Sequence, residues 1–316
     1  MITMNFLQRM PDQLDIMVTG ACNAQCAFCV QEATFRSDIT RDDAFLAAAR
    51  KSIREFYEAG GRRVVITGGE PTLQMPRVLS VLAELGRCPD WEVNALYTNG
   101  SLLLSRRGHG GCTVAEELLA AGLGCVNLSV HHYLDEINDR ILALWRAKPR
   151  TCEIAAHLKA CGIAFRLNLT VQRAGIASVT DLLEYLDWGF SLGAKDIYVR
   201  ALFLFAFEAD LINDDRNPVK YSASNRVRVD DWPVEIVARS RYMIAGSRCE
   251  LDRDKTELEF EDPATGKRFY LSKLAVGKEN PEGFPYLVLM PDGRLYRGWL
   301  GQNDLVEIQP LVALKR

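Results

Sequence analysis

Apolar positions in the first part of the chain follow two rhythms in turn. Short runs rich in β-branched residues read as buried strands at Leu14–Thr19, Arg63–Thr67, Trp91–Thr98, Cys125–Val130, Ile163–Val171 and Asp196–Leu202. Between them, apolar residues recur three or four apart, as in Phe45, Leu46, Ala49, Ile53 and Phe56, which is the spacing of one helix face. This rhythm predicts helices over about 40–60, 76–86, 113–121, 134–160 (with a break at Pro149) and 178–188. Strands and helices that alternate in this way imply right-handed crossovers and a parallel sheet. Six such units are too few to close an eight-stranded barrel, so an α/β fold of the partial (β/α)6, TIM-like kind is expected. After about residue 205 the rhythm fades. A helix over about 233–246 is expected there, followed by short strands around a Pro291-Asp292-Gly293 turn. The chain is thus expected to divide into a barrel over 1–205 and a small α+β extension over 206–316 that covers the barrel mouth.

Composition narrows the classes. At 316 residues, 48% hydrophobic and 25% charged, the chain has the make-up of a globular α/β protein. A net charge of -3 argues against general nucleic-acid or membrane-surface binding. No apolar run approaches the ~18 residues of a membrane-crossing helix, and no secretory signal pattern opens the chain. Nine cysteines, an odd number and mostly scattered, do not resemble a disulfide framework. A reducing compartment, the cytoplasm, is expected.

Candidate chemistry gathers just beyond strand ends. Cys22, Cys26 and Cys29 form a CxxxCxxC spacing directly after the first strand. Three thiolates on one loop suit a 4Fe-4S cluster with one iron left open to a small ligand. A zinc site or a set of buried thiols is the alternative, although structural zinc takes four ligands and no partner pair follows. At the end of the second strand stands Gly68-Gly69-Glu70-Pro71. Glycines there let the backbone approach a ligand closely, and a carboxylate or carbonyl can accept from an ammonium group. Active sites of parallel α/β folds lie at this same C-terminal edge. His131 and His132, which follow the fourth strand, are candidates to contact substrate, although neighbours on an extended segment point opposite ways.

The cysteine spacing, with Phe28 before the last cysteine and GGEP one strand later, resembles the radical S-adenosylmethionine (SAM) superfamily. The resemblance covers residues 14 to about 202 and implies a partial (β/α)6 barrel. It also implies that Cys22, Cys26 and Cys29 hold a 4Fe-4S cluster whose open iron binds SAM. Reductive cleavage would then yield a 5′-deoxyadenosyl radical that abstracts hydrogen from a substrate. By the same resemblance Gly68, Gly69 and Glu70 hold the SAM amino group, and Phe28 packs on adenine. Thr98, Asn99, Ser129, Asn168 and Arg200 then line the SAM site.

The segment at residues 288–301 is similar to the PDG hairpin of SPASM and twitch extensions but lacks the cysteine that would ligate an auxiliary cluster. One cluster is therefore expected. Tyr296, Arg297 or Trp299 is placed near substrate, with Arg297 the candidate for an anionic group. Too few residues precede the first strand for a leader-peptide-binding domain, which favours a small molecule such as a nucleotide or sugar. A peptide-modifying enzyme is the alternative, and a non-enzymatic iron–sulfur or zinc module is a second. An electron donor such as flavodoxin or ferredoxin is the expected partner.

Overall fold

The computed structural model describes residues 2–3, 13–29, 41–106, 111–144, 146, 148–202, 218–249, 255–274, 286–297 and 306–307. The chain opens with β1 (Ile2–Thr3) and β2 (Gln13–Met17), then α1 (Asp42–Glu58) and β3 (Arg63–Thr67). A 3-10 turn (Pro71–Gln74) leads into α2 (Met75–Leu85) and β4 (Val93–Thr98), followed by α3 (Val114–Ala120) and β5 (Cys125–Ser129). Next come α4 (Asp135–Leu142), α5 (Thr151–Cys161), β6 (Ala164–Val171), α6 (Val179–Ser191) and β7 (Asp196–Ala201). All six expected strands of the barrel region are present, with ends shifted by no more than two residues. The helical stretch around Pro149 is two helices, as the break there predicted. Thr40, at the expected start of α1, lies outside the described residues.

The second half contains α7 (Pro218–Asn225), α8 (Trp232–Arg239), β8 (Met243–Cys249), β9 (Lys255–Glu261) and β10 (Arg268–Leu274). It continues with β11 (Tyr286–Leu289), β12 (Leu295–Arg297) and β13 (Val306–Glu307), the last paired with β1. One correction concerns the helix expected to about residue 246. It stops at Arg239, and Met243–Cys249 is an edge strand held by its pairing to β9.

One open sheet of eleven strands, in the order β12-β11-β2-β3-β4-β5-β6-β7-β10-β9-β8, carries the whole arrangement. Strands β2 to β7 run parallel to one another. The second half adds β11 beside β2 and β10 beside β7, both parallel, and each is followed by antiparallel strands. Strands β8 to β12 therefore lengthen the sheet at its two edges, while β13 pairs with β1 in a separate two-stranded sheet.

Every strand of the parallel set buries one face beneath helices. The main core runs from Leu14, Ile16, Val64 and Ile66 across to Leu167 and Val199, all fully buried. Arg77 on α2 ties this layer together. It is 3% exposed, bonds Asp42 of α1 at 2.7 Å and the Val18 carbonyl at 3.0 Å, and lies over the Phe45 ring. It thereby fixes the chain just past β2, where the cysteine loop begins. Among the described residues no helix is long and apolar enough to cross a membrane.

Leu158, on the sheet-facing side of α5, is fully buried in the main core. Leu158→Ala should cost about 2–5 kcal/mol by lost transfer energy and a residual cavity. A lower urea midpoint with unchanged slope is the expected result.

Candidate functional site

The site is built at the C-terminal edge, from loops that follow neighbouring strands. Beyond β2 the backbone keeps pairing with the segment after β3. The Val18 amide donates to the Thr67 carbonyl at 2.9 Å, the Gly69 amide to Thr19 at 2.8 Å and the Glu70 amide to Ala21 at 2.9 Å. The GGE segment thus runs alongside residues 19–21, immediately before Cys22. This approach requires glycine: a Cβ on Gly69 would stand 2.2 Å from the Ala21 oxygen, and one on Gly68 would stand 2.6 Å from that of Thr19.

Glu70 fastens the next loop. Its carboxylate is fully buried and accepts from the Thr72 amide at 3.2 Å, the Thr72 hydroxyl at 2.6 Å, the Thr98 hydroxyl at 2.7 Å and the Asn99 amide at 2.8 Å. Burial pushes this carboxyl above its ordinary value, and the donors from Thr72, Asn99 and Thr98 oppose the push. The Glu70 carboxylate is therefore spent on the protein itself. Asn99 passes the connection back to the cysteine loop: its Nδ2 donates to Asn23 Oδ1 at 2.8 Å, and Asn23 Nδ2 donates to the Ser101 hydroxyl at 2.8 Å. Asn23 lies inside the cysteine motif and escaped notice because the motif is defined by its sulfurs.

The far side of the cysteine loop rests on α4 and the end of β5. The Gln25 amide donates to the carbonyls of Leu142 (3.0 Å) and Ala143 (3.2 Å), and the Cys26 thiol donates to that of Leu142 (3.5 Å). Ala143 closes α4 at φ 46°, a left-handed conformation that is strained for a residue with a Cβ. Phe28 meets His131 edge-on at 5.0 Å between ring centres. The structure thus joins Cys22, Cys26, Cys29, Phe28, Gly68, Gly69, Glu70, Thr98, Asn99 and His131 around one loop.

The two histidines differ, as their adjacency predicted. His131 Nδ1 accepts from the Thr170 amide at 3.1 Å, which leaves its proton on Nε2. Burial, with the Lys148 charge adding to it, pushes this imidazole down to about 3. His132 Nδ1 instead accepts from the Leu134 amide at 3.0 Å and serves as a turn cap, its pKa lowered by burial.

Across the inner face of the sheet, Ser129 and Asn168 are register partners on β5 and β6. Asn168 is 7% exposed, yet neither atom of its amide has a hydrogen-bond partner. Buried amides are normally satisfied, so this one has both a donor and an acceptor to offer a ligand. Arg200 on β7 donates to the Tyr97 hydroxyl of β4 at 3.1 Å, across the same face. A glycine cradle, three thiols on one loop and this buried amide fit a cluster and SAM.

Part of the extension also reaches the rim. The Arg173 amide donates to the Asn225 carbonyl at 2.9 Å, and the Tyr221 hydroxyl donates to Gln172 Oε1 at 2.7 Å, so α7 is fixed to the end of β6. Burial and the nearby Cys26 charge raise the Tyr221 phenol. Neither Gln172 nor Tyr221 carries a sequence signal, being single polar residues beside an aperiodic stretch. Arg297, expected at the mouth, is placed otherwise. It pairs with Leu287, which pairs in turn with Leu14 at the start of β2, so it stands well back from the rim. Tyr296 bonds Asp292 at 2.7 Å and packs against Met17, Val288 and Met290. Trp299 lies outside the described residues.

The Radical SAM superfamily model matches residues 16–182, and the chain belongs to that superfamily. That superfamily uses a 4Fe-4S cluster and SAM. The chain is 32% identical over 136 residues to a GTP 3',8-cyclase of Rippkaea orientalis, a match covering 42% of this chain and 38% of the relative. It is 30% identical over 178 residues to GTP 3',8-cyclase 2 of Pseudomonas aeruginosa, covering 54% of this chain and 49% of the relative. The chain thus spans half or less of the length of these two curated relatives. In fold it is similar to the crystal structure of Streptococcus suis SuiB, with a TM-score of 0.54 and 16% identity over 93% of this chain and 62% of that one.

Two outcomes follow from the geometry. Thr98→Val, which keeps the side-chain shape, removes one donor to a buried carboxylate and should cost about 1–3 kcal/mol in a denaturant titration. The second is a pH effect. The unfolded chain protonates His131 near 6.5, whereas the folded chain resists until about 3. Native stability should therefore fall by about 1.4 kcal/mol for each pH unit below 6.5 on account of this residue. His131→Gln should flatten the urea midpoint of the cluster-free protein between pH 6.5 and 5 relative to wild type.

Proposed function

We propose that this enzyme holds one 4Fe-4S cluster on Cys22, Cys26 and Cys29 and abstracts hydrogen from a small organic substrate, with nucleotides the first class to test. The observation that carries the reading is the junction at Gly69 and Glu70, which clamps the cysteine loop between the ends of β3 and β4. When bound there, the cluster and SAM supply a one-electron cleavage and a hydrogen-abstracting radical.

The residues divide the remaining work. The Gly68–Gly69 backbone would hold the SAM amino group, because the Glu70 carboxylate is engaged with Thr72, Thr98 and Asn99. Ser129 and the unmatched amide of Asn168 take the ribose or carboxylate. Phe28, braced by His131, offers an apolar ring beside the cysteines. Arg200 supplies a cation on the inner face, suited to an anionic substrate. Helix α7 covers the rim next to β6 and limits water there, which a reactive radical requires.

The nucleotide class is supported by the two relatives named as GTP 3',8-cyclases. The single-cluster reading rests on Cys249 being the one cysteine between Cys161 and Arg316. Flavodoxin or ferredoxin is the proposed electron donor.

Anaerobic reconstitution should give about four irons per chain, and reductant with SAM should release 5′-deoxyadenosine. Cys26→Ala should abolish both. Seven or eight irons, or undiminished 5′-deoxyadenosine from Cys26→Ala, would overturn the assignment. Incubation with purine and pyrimidine nucleotides and deuterium-free SAM should convert one of them to product. Conversion of a peptide, with every nucleotide untouched, would refute the substrate class and leave the cluster assignment standing.

A further inference from the structure

The outer helical layer brings three metal-type donors together at a place where nothing in the radical site requires them. Glu116 lies on α3, while His157 and Cys161 lie four residues apart on α5 and so share one face of that helix. A carboxylate oxygen of Glu116, a ring nitrogen of His157 and the sulfur of Cys161 all lie within 4.8 Å of one another. The cluster is remote from the radical chemistry by topology. Cys161 ends α5 and leads through Gly162 into the start of β6, whereas the cysteine loop sits beyond the strands' other ends.

The spacing already matches a coordination polyhedron. His157 Nε2 stands 3.6 Å from Cys161 Sγ. A tetrahedral zinc ion, with Zn–S near 2.3 Å and Zn–N near 2.0–2.1 Å, holds such a pair roughly 3.5–3.6 Å apart. Carboxylate, imidazole and thiolate are zinc's ligand types, whereas calcium and magnesium select all-oxygen sites. We propose that Glu116, His157 and Cys161 form a site for a thiophilic divalent cation, best suited to zinc, that staples α3 to α5.

A metal-free arrangement of the same groups exists, and it shows what binding changes. Thr113 Oγ1 lies 2.9 Å from His157 Nε2 and 2.9 Å from Glu116 Oε2, which also accepts from the Thr113 amide at 2.6 Å. Without metal, His157 Nε2 carries the proton, donates to the Thr113 hydroxyl, and that hydroxyl donates to Glu116. Metal binding moves the imidazole proton to Nδ1 and releases the Cys161 proton, so a net one proton leaves for each ion bound. Burial and the Glu116 charge hold the metal-free thiol protonated, and a cation relieves that repulsion once the thiolate forms. Three protein ligands leave a fourth position for water or for the Thr113 hydroxyl.

The test uses the cluster-loaded protein, treated with zinc chloride, dialysed against metal-free buffer and assayed for zinc and iron together. One zinc per chain should remain with the iron content unchanged. His157→Ala and Cys161→Ala should each lose the zinc and keep the iron, while Cys152→Ala, on the same helix but outside the trio, should keep both. Glu116→Gln can still cap α3 and provides a variant that preserves the local fold; its zinc affinity should drop at least tenfold. Zinc should also raise the wild-type melting midpoint by about 3 °C, and not that of His157→Ala. Wild-type protein that retains no zinc, or full zinc in both His157→Ala and Cys161→Ala, would overturn the proposal. Counting iron in the same samples separates this result from any failure of the cluster assignment.

Discussion

The buried carboxylate of Glu70 is the contact on which the rim depends. A charge with no solvent exposure is costly to bury, and here the cost is met by four donors drawn from two segments, Thr72 beside it and Thr98–Asn99 at the end of β4. The backbone of the same residue pairs with Ala21, so one position fixes the loops after β2, β3 and β4 against each other. Asn99 and Asn23 close the ring by a side-chain bond. The cysteines consequently sit on a loop whose course is set by its neighbours rather than by the cysteines themselves. Such support is what a site needs to hold its geometry before any cofactor arrives.

The polar groups near the site do two kinds of work. Glu70, Thr98, Asn99 and His132 have their bonding capacity directed to the protein, and they act as scaffold. Asn168 has the opposite character, with a buried amide that meets no partner. His131 stands between them: one ring nitrogen is committed to Thr170 and the other carries the proton, so its tautomer is fixed by the fold.

Much of this was legible in the sequence, for local reasons. RVVIT is a strand because four of its five residues, Val64 to Thr67, are β-branched, and the helix-breaking proline at 149 separates α4 from α5. The cysteine and GGEP motifs lie just past β2 and β3, at the C-terminal edge where their order in the sequence put them. The sequence could not say which atom of Glu70 does what, because that depends on Thr98, on the next strand. The helix expected over about 233–246 overran Arg239 into the first residues of Met243–Cys249, whose strand form comes from pairing with β9, a tertiary effect. Tyr221 and Gln172 were invisible for the same reason, since their meeting joins residues 49 positions apart.

The two added edges of the sheet have a consequence for how the protein is made. β2 is synthesised well before its outer neighbour β11 at Tyr286–Leu289, and β7 likewise waits for Arg268–Leu274. Until those segments leave the ribosome, the nascent barrel presents two long unpaired strand edges. Contacts of such sequence separation form slowly and leave a partly folded chain open to edge-to-edge association. Maturation of the cysteine loop, which hangs from β2, is thereby tied to synthesis of residues 268–289, and a chain stopped before them would leave a sticky half-sheet.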